Sequence, residues 1–440
     1  MSAPSKRSVR SALWVGVALF LVALLWVFWG ADALHERADA AIHTAPTSAT
    51  GAPDAAQRAA EGEYLARIGN CGLCHTAPGG PPFAGGRAIA TPFGSIASTN
   101  ITPDRAHGIG QWTADDFWRA LHHGKSRDGR RLSPAFPYTS YTHVSRADSD
   151  ALFAYLQTVP AAARANAPSG LTWPFNTQPA LAVWRALYFW PENDGATQAH
   201  RGAYLAEGLG HCTECHGERG PLGGLKSRKT WAGGVLPGTP WYAPSLLRAD
   251  EAAPRSVADS VALLKTGIST VSGHASANGP MAEVVLHGTQ FLRDADAQAI
   301  ALYLQDLAQP ADLRPAPARA TPRAGDDPRA ARLYEEHCAQ CHGKEGEGQP
   351  VQPAAYPALA GNRAVLMERP NNAVLNVLHG GFSPATAANP RPFGMPPYLL
   401  TLTDAEVAAV LTHVRSSWGN HASAVSELQV QQLRRTQTAR

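Results

Sequence analysis

Six cysteines and four methionines are all that this 440-residue chain carries of the two sulfur residues, and charged residues make up only 17% of it. No cysteine stands outside a Cys-x-x-Cys pair, so a long-range disulfide framework has no material to work with. Basic residues show no excess either. Once Lys6, Arg7 and Arg10 are set aside, the remaining acidic and basic residues balance at 35 each, which leaves a nucleic-acid reading without a basic patch. A G-x-G-x-x-G nucleotide fingerprint opening a helix after a strand is also missing.

One long apolar run is present. Residues 13–29 (LWVGVALFLVALLWVFW) carry no charge and follow those three cations, which predicts a retained membrane anchor with its N-terminus inside and the body of the chain exported. The competing reading is a cleaved signal peptide, because Ala31, Asp32 and Ala33 resemble a small-x-small processing site. Both readings put the body outside the cytoplasm, on the periplasmic side of an inner membrane.

The body repeats itself. GEYLARIGNCGLCH at 62–75, GAYLAEGLGHCTECH at 202–216 and ARLYEEHCAQCHG at 331–343 each run a short helical pattern into a cysteine pair. Each repeat closes on a helical pattern with an Asp near its start suited to an N-cap: RADSDALFAYL at 146–156, RDADAQAIALYL at 293–304 and TDAEVAAVLTHV at 403–414. The expected architecture is all-α, with three tandem modules at 58–160, 198–308 and 328–420. A tip and anchor at 1–34 precede them, Pro-rich linkers fall at 35–57, 161–197 and 309–327, and a polar, solvated tail follows at 421–440. Helices joined by long Gly- and Pro-rich loops need something else to fill the middle of each module.

The cysteines say what fills it. All six lie in C-x-x-C-H: Cys71, Cys74 and His75; Cys212, Cys215 and His216; Cys338, Cys341 and His342. Two thiols on one helical turn can bond to the two vinyl groups of one haem while the adjacent imidazole ligates its iron, so the spacing predicts three covalent haem c groups. Zinc would need two further ligands per site with matching spacing, a thioredoxin-like dithiol would not require His after every pair, and a Cys-x-x-Cys disulfide is a strained staple.

A sixth ligand to iron is sought among the methionines. Met281 in NGPMAEV and Met395 in NPRPFGMPPY both sit on Pro-flanked turns before their closing helices, and both are predicted distal ligands. Met367 reads as packing. In the first module the corresponding place, 19 residues before Tyr155, holds Phe136, and no Met lies between the first two motifs. His143 on the same loop is the first candidate there. His122 and His123 are alternative ligands whose helical setting reads as surface, and an open distal site is the remaining alternative.

FAGGRAIATPFGSIASTNITPD (83–104), GIGQWTADDF (108–117), PAFPYTSYT (134–142), PGTPWYAPSLL (237–247) and PALAGNRAV (357–365) together resemble the triheme cytochrome c subunits of membrane-bound periplasmic dehydrogenases, over about 58–420. The resemblance implies a non-catalytic subunit that takes electrons from a large dehydrogenase subunit and passes them to ubiquinone or a terminal oxidase. Phe136 and the NPRPFGMPP loop look more like the branch that accompanies molybdenum hydroxylases than those of quinoproteins or flavoproteins. A haem peroxidase and a free-standing membrane-tethered shuttle are the alternatives.

Overall fold

A computed structural model describes residues 54–191, 200–227, 231–247, 256–269, 275–307, 327–351 and 354–438. The expected anchor at 13–29 and nearly all of the 309–327 linker lie outside them. Among the described residues no helix is long and apolar enough to cross a membrane.

The chain is rich in helix but not purely helical. Among the described residues four small antiparallel sheets of two or three short strands stiffen the loops, because loops long enough to wrap a module pair their own backbone where no helix can do it. The expected helix pairs form. The opening helix Ala55–Ile68 packs on the closing helix Arg146–Leu156, Arg201–Ala203 packs on Asp294–Asp306, and Pro328–His337 packs on Asp404–Ser416. The N-caps differ from expectation. Ser145 and Thr403 cap the first and third closing helices through their hydroxyls, while Asp148 and Asp404 sit in the first turn, where a carboxylate suits the positive end of the helix.

The first two crossings are built alike. A side chain on Gly62 would lie 1.9 Å from the Ala151 carbonyl oxygen, and one on Gly202 would lie 2.0 Å from that of Ala299. Only glycine lets the helices approach so closely. The opening helices differ in one respect. Tyr64 precedes Cys71 by seven residues and Tyr204 precedes Cys212 by eight. The extra residue is absorbed as a π-helical turn, Tyr204–Leu209.

These two modules share one core, to which Leu65, Ile68 and Leu152 of the first and Leu205, Leu209 and Leu304 of the second contribute. Each also reaches into the other's closing helix. The Tyr64 hydroxyl donates to Asp296 Oδ2 and the Tyr204 hydroxyl to Asp148 Oδ2, both at 2.5 Å. The third module has its own cores, one around Val374, Leu378, Val407 and Leu411 and another around Tyr334, Val410 and Val414. It docks on the second module through side-chain amides. Asn372 exchanges two hydrogen bonds with the backbone of Tyr242 at 2.9 and 2.7 Å, and Asn371 Nδ2 donates to Pro240 O at 2.9 Å.

Two segments expected to be unstructured are folded. In 161–197, Gly170–Leu171 adds a strand to the hairpin of the first module and Gln178–Tyr188 is a helix. Asn100 Nδ2 holds this segment by donating to Ala162 O at 2.8 Å, as does the buried Arg185 by donating to His123 O at 2.6 Å. The tail forms the helix Glu427–Thr438, which buries Val430 and Leu433 against the third module, with Arg434 bonded to Asp404 at 2.6 Å. Two apolar residues three apart suffice to seat one helical face where a matching groove exists, and the groove is not visible in the tail's own composition.

Candidate haem sites

Each C-x-x-C-H winds into one short helical turn: Cys71–His75, Thr213–His216 and Ala339–His342. Asn70 (φ 55°) and His211 (φ 38°) turn the first two opening helices into these turns through left-handed backbone. Asn and His tolerate that region better than most residues. Burial pushes the Cys71 and Cys212 thiols up to about 12 and that of Cys338 to about 11. Thiols so placed are held in the neutral form by their surroundings. Among the described residues no group of three His, Cys, Asp or Glu side chains is arranged to hold a metal ion directly.

The three imidazoles are held in the same way. His75 Nδ1 lies 2.6 Å from Thr99 O, His216 Nδ1 lies 2.8 Å from Pro244 O, and His342 Nδ1 lies 2.9 Å from Pro357 O. A carbonyl can only accept, so each bond puts the proton on Nδ1 and leaves the Nε2 lone pair for iron. Burial lowers the pKa of His75 and His342, with the carbonyl bond acting the other way, and a neutral imidazole is the form that ligates.

Each histidine's own carbonyl is fixed as well, by the N–H of a left-handed glycine. Gly85 (φ 71°), Gly233 (φ 72°) and Gly348 (φ 74°) donate to His75 O, His216 O and His342 O at 2.7, 2.8 and 2.8 Å. A side chain on any of them would strike the loop that carries the Nδ1 acceptor, at 2.5 Å from Thr99, 2.3 Å from Ala243 and 2.7 Å from Ala358. Sequence reasoning missed these glycines and acceptors. The paired strings FAGG and WAGG and the Pro-x-Leu steps at 244–246 and 357–359 were the signal. The spacing from His to Gly varies from 6 to 17 residues, which hides the repeat.

The predicted distal residues are spread over three settings. Met281 is half-buried in the first turn of helix Pro280–His287. Met395 lies on a two-residue strand opposite Gly381, against the third module's core. Met367 Sδ is 3.8 Å from Asn372 Nδ2, at the docking seam. Phe136 packs on the shared core with its ring 5.3 Å from that of Tyr141. His143 follows the short helix Tyr138–Tyr141 and sets its Cβ 3.2 Å from the position a Gly208 side chain would take, at the π-helical turn of the second module. His122 and His123 are buried, not on the surface. His122 stacks on Trp118 at 4.3 Å and His123 meets it edge-on.

The first and second motifs are neighbours. Helix Pro280–His287 packs on Cys71–His75, with Glu283 paired to Arg87 at 2.6 Å. Reciprocally, Thr139 and Ser140 donate to Glu214, inside the second motif, at 2.9 and 3.1 Å. Burial alone would raise the Glu214 pKa, but the Arg219 guanidinium at 2.5 Å and these hydroxyls bring it below its ordinary value, so the carboxylate is ionised at the seam.

Comparison with known proteins agrees with this geometry. The family model for cytochrome c matches residues 329–418. The cytochrome c subunit of the quinone alcohol dehydrogenase of Gluconobacter oxydans is 36% identical over 85% of this chain and 82% of its own length. The gluconate 2-dehydrogenase cytochrome c subunit of Pantoea cypripedii is 37% identical over 86% and 89%. A nicotinate dehydrogenase subunit of Pseudomonas putida is 38% identical over 94% of this chain, which spans 34% of that longer protein. These likenesses favour the electron-transfer reading over the peroxidase alternative. The chain belongs to the family of cytochrome c subunits of dehydrogenase complexes, carries covalent haem c, and transfers electrons without being the catalytic subunit.

Proposed function

We propose that this subunit holds three haem c groups, one on each C-x-x-C-H motif, in three tandem cytochrome c-like modules of which the first two are fused. The observation that carries the count is the threefold bracket around His75, His216 and His342, in which a loop carbonyl fixes Nδ1 and a glycine N–H fixes the histidine carbonyl. A bound haem supplies an iron that gains and loses one electron without bond making. The chain's residues do the rest: the thiols tether the ring, the imidazoles present Nε2, and the apolar core excludes water. Met281 and Met395 serve as the distal ligands in the second and third modules.

The subunit takes electrons from a large dehydrogenase subunit on the periplasmic side and passes them to ubiquinone or a terminal oxidase. Residues 13–29 anchor it to the inner membrane. A molybdenum hydroxylase is favoured as the large subunit over a quinoprotein or flavoprotein. Phe136, the NPRPFGMPP loop and the likeness to the nicotinate dehydrogenase subunit over 94% of the chain support that choice.

The test is to purify the tagged chain from membranes in mild detergent, count haem per chain from the alkaline pyridine spectrum, and identify any stoichiometric large subunit by mass spectrometry and metal analysis. Three haems and a molybdenum-bearing partner are expected. A flavin or quinone partner would overturn the branch assignment, and a chain that comes alone would favour the free-standing shuttle.

A further inference from the structure

The three proximal brackets are alike, but the three distal sides are not. The methionine place of the second and third modules is taken in the first by Phe136, and the structure packs this ring on the shared core, 5.3 Å from that of Tyr141. Phe83 lies directly over the first motif, 3.6 Å from where a side chain on Gly72 would be. Its ring meets that of Tyr155 edge-on at 6.0 Å. A hydrocarbon ring has no lone pair to give iron.

Met367, Met395, His122 and His123 lie in other settings. Met367 lies at the docking seam beside Asn372, and Met395 lies against the third module's core. Met281, on the helix Pro280–His287, is assigned above to the second haem. His122 and His123 are tied into the Trp118 stack, on a helix whose Phe117 and Leu121 supply the core. His143 packs its Cβ on Gly208 of the second module's opening helix, and its ring is addressed by the H143A variant below.

We propose that haem 1 is five-coordinate and that the Phe136 side of its pocket is a binding site for small neutral π-acceptor diatomics, of the class of carbon monoxide and nitric oxide. The inference rests on the three-haem reading. A distal side on which a hydrocarbon ring stands in place of the methionine suits such ligands, because they need an open iron position and no charge compensation. Electron flow through the first module then responds to a dissolved gas while the methionine-ligated modules do not.

The test is a carbon monoxide titration of the dithionite-reduced full-length chain in detergent, with haem counted independently from the pyridine spectrum and spin state read by electron paramagnetic resonance of the oxidised form. One carbon monoxide bound per three haems is expected, together with one high-spin ferric centre. F136M should abolish both signals by supplying the missing ligand, and F136L should retain both, which controls for misfolding. Three low-spin haems without carbon monoxide binding in the parent chain would overturn the proposal, and so would an F136M chain that still binds the gas. A parent that binds none, joined to an H143A variant that binds one, would overturn it by assigning the ligand to His143. A haem count below three would strike the three-haem reading itself, independently of the gas.

Discussion

The first and second modules exchange tyrosines across a common core, whereas the third closes around its own. Tyr64 and Tyr204 each bond a carboxylate on the partner module's closing helix. In the third module the Tyr334 hydroxyl instead donates to Gly343 O within the same module, at 2.6 Å. The difference shows what fusing two small domains achieves. Two modules of about 100 residues bury a larger fraction of their surface together than apart, and they bring two cysteine motifs to one seam. The third is joined by amide hydrogen bonds from Asn371 and Asn372, with Trp241 of the second module packed on its core.

The largest break in this comparison is expected from Gly62→Val or Gly202→Val. Each would drive a side chain into a backbone carbonyl about 2 Å away, at a cost of ~3 kcal/mol or more. Denaturant unfolding of either variant should lose the joint transition of the first two modules while that of the third stays in place. Next in size is Tyr204→Phe. Removing a buried hydroxyl that donates to Asp148 should cost about 1.5 kcal/mol, visible as a lower denaturant midpoint. Tyr64→Phe should act in the same direction, and the double variant reports how far the two exchanges are coupled.

A pH series sharpens the same contrast. Burial alone would raise the Asp296 pKa, but Arg201 and Tyr64 bring it below its ordinary 3.8. Its contribution is therefore full above that ordinary value and is lost as pH falls through the lower folded value. Acidification below about pH 4 should destabilise the joined modules, and D296N should flatten that dependence. Thermal melts on either side of that pH would check it. The smallest effect on the joined modules belongs to Asn372→Ala, which removes two hydrogen bonds to Tyr242 outside their shared core. Flash-photolysis kinetics should show slower transfer between the second and third haems, with the shared core's melting unchanged.

The attachment chemistry is open to reading because C-x-x-C-H is complete within five residues. The closing helices are legible from periodicity, although the pattern favours Asp as the cap where Ser145 and Thr403 hold that place. The helix Gln178–Tyr188 is hidden by the prolines and glycines around it, which mimic a linker. The tail is hidden by its polar majority, since Val425, Val430 and Leu433 are the few apolar side chains that seat it. The glycine brackets escape because their partners sit at unequal distances along the chain.

The sequence alone determined that covalent haem is attached through C-x-x-C-H, that a histidine follows each cysteine pair, and that no methionine lies between the first two motifs. Those features depend on covalent spacing and residue type, which folding does not alter. The tertiary structure decided that two modules share a core, that Gly85, Gly233 and Gly348 lock the histidine carbonyls, and that the tail is seated. Each of these depends on which distant surface buries a given face, and burial is a property of pairs of segments that no single segment records.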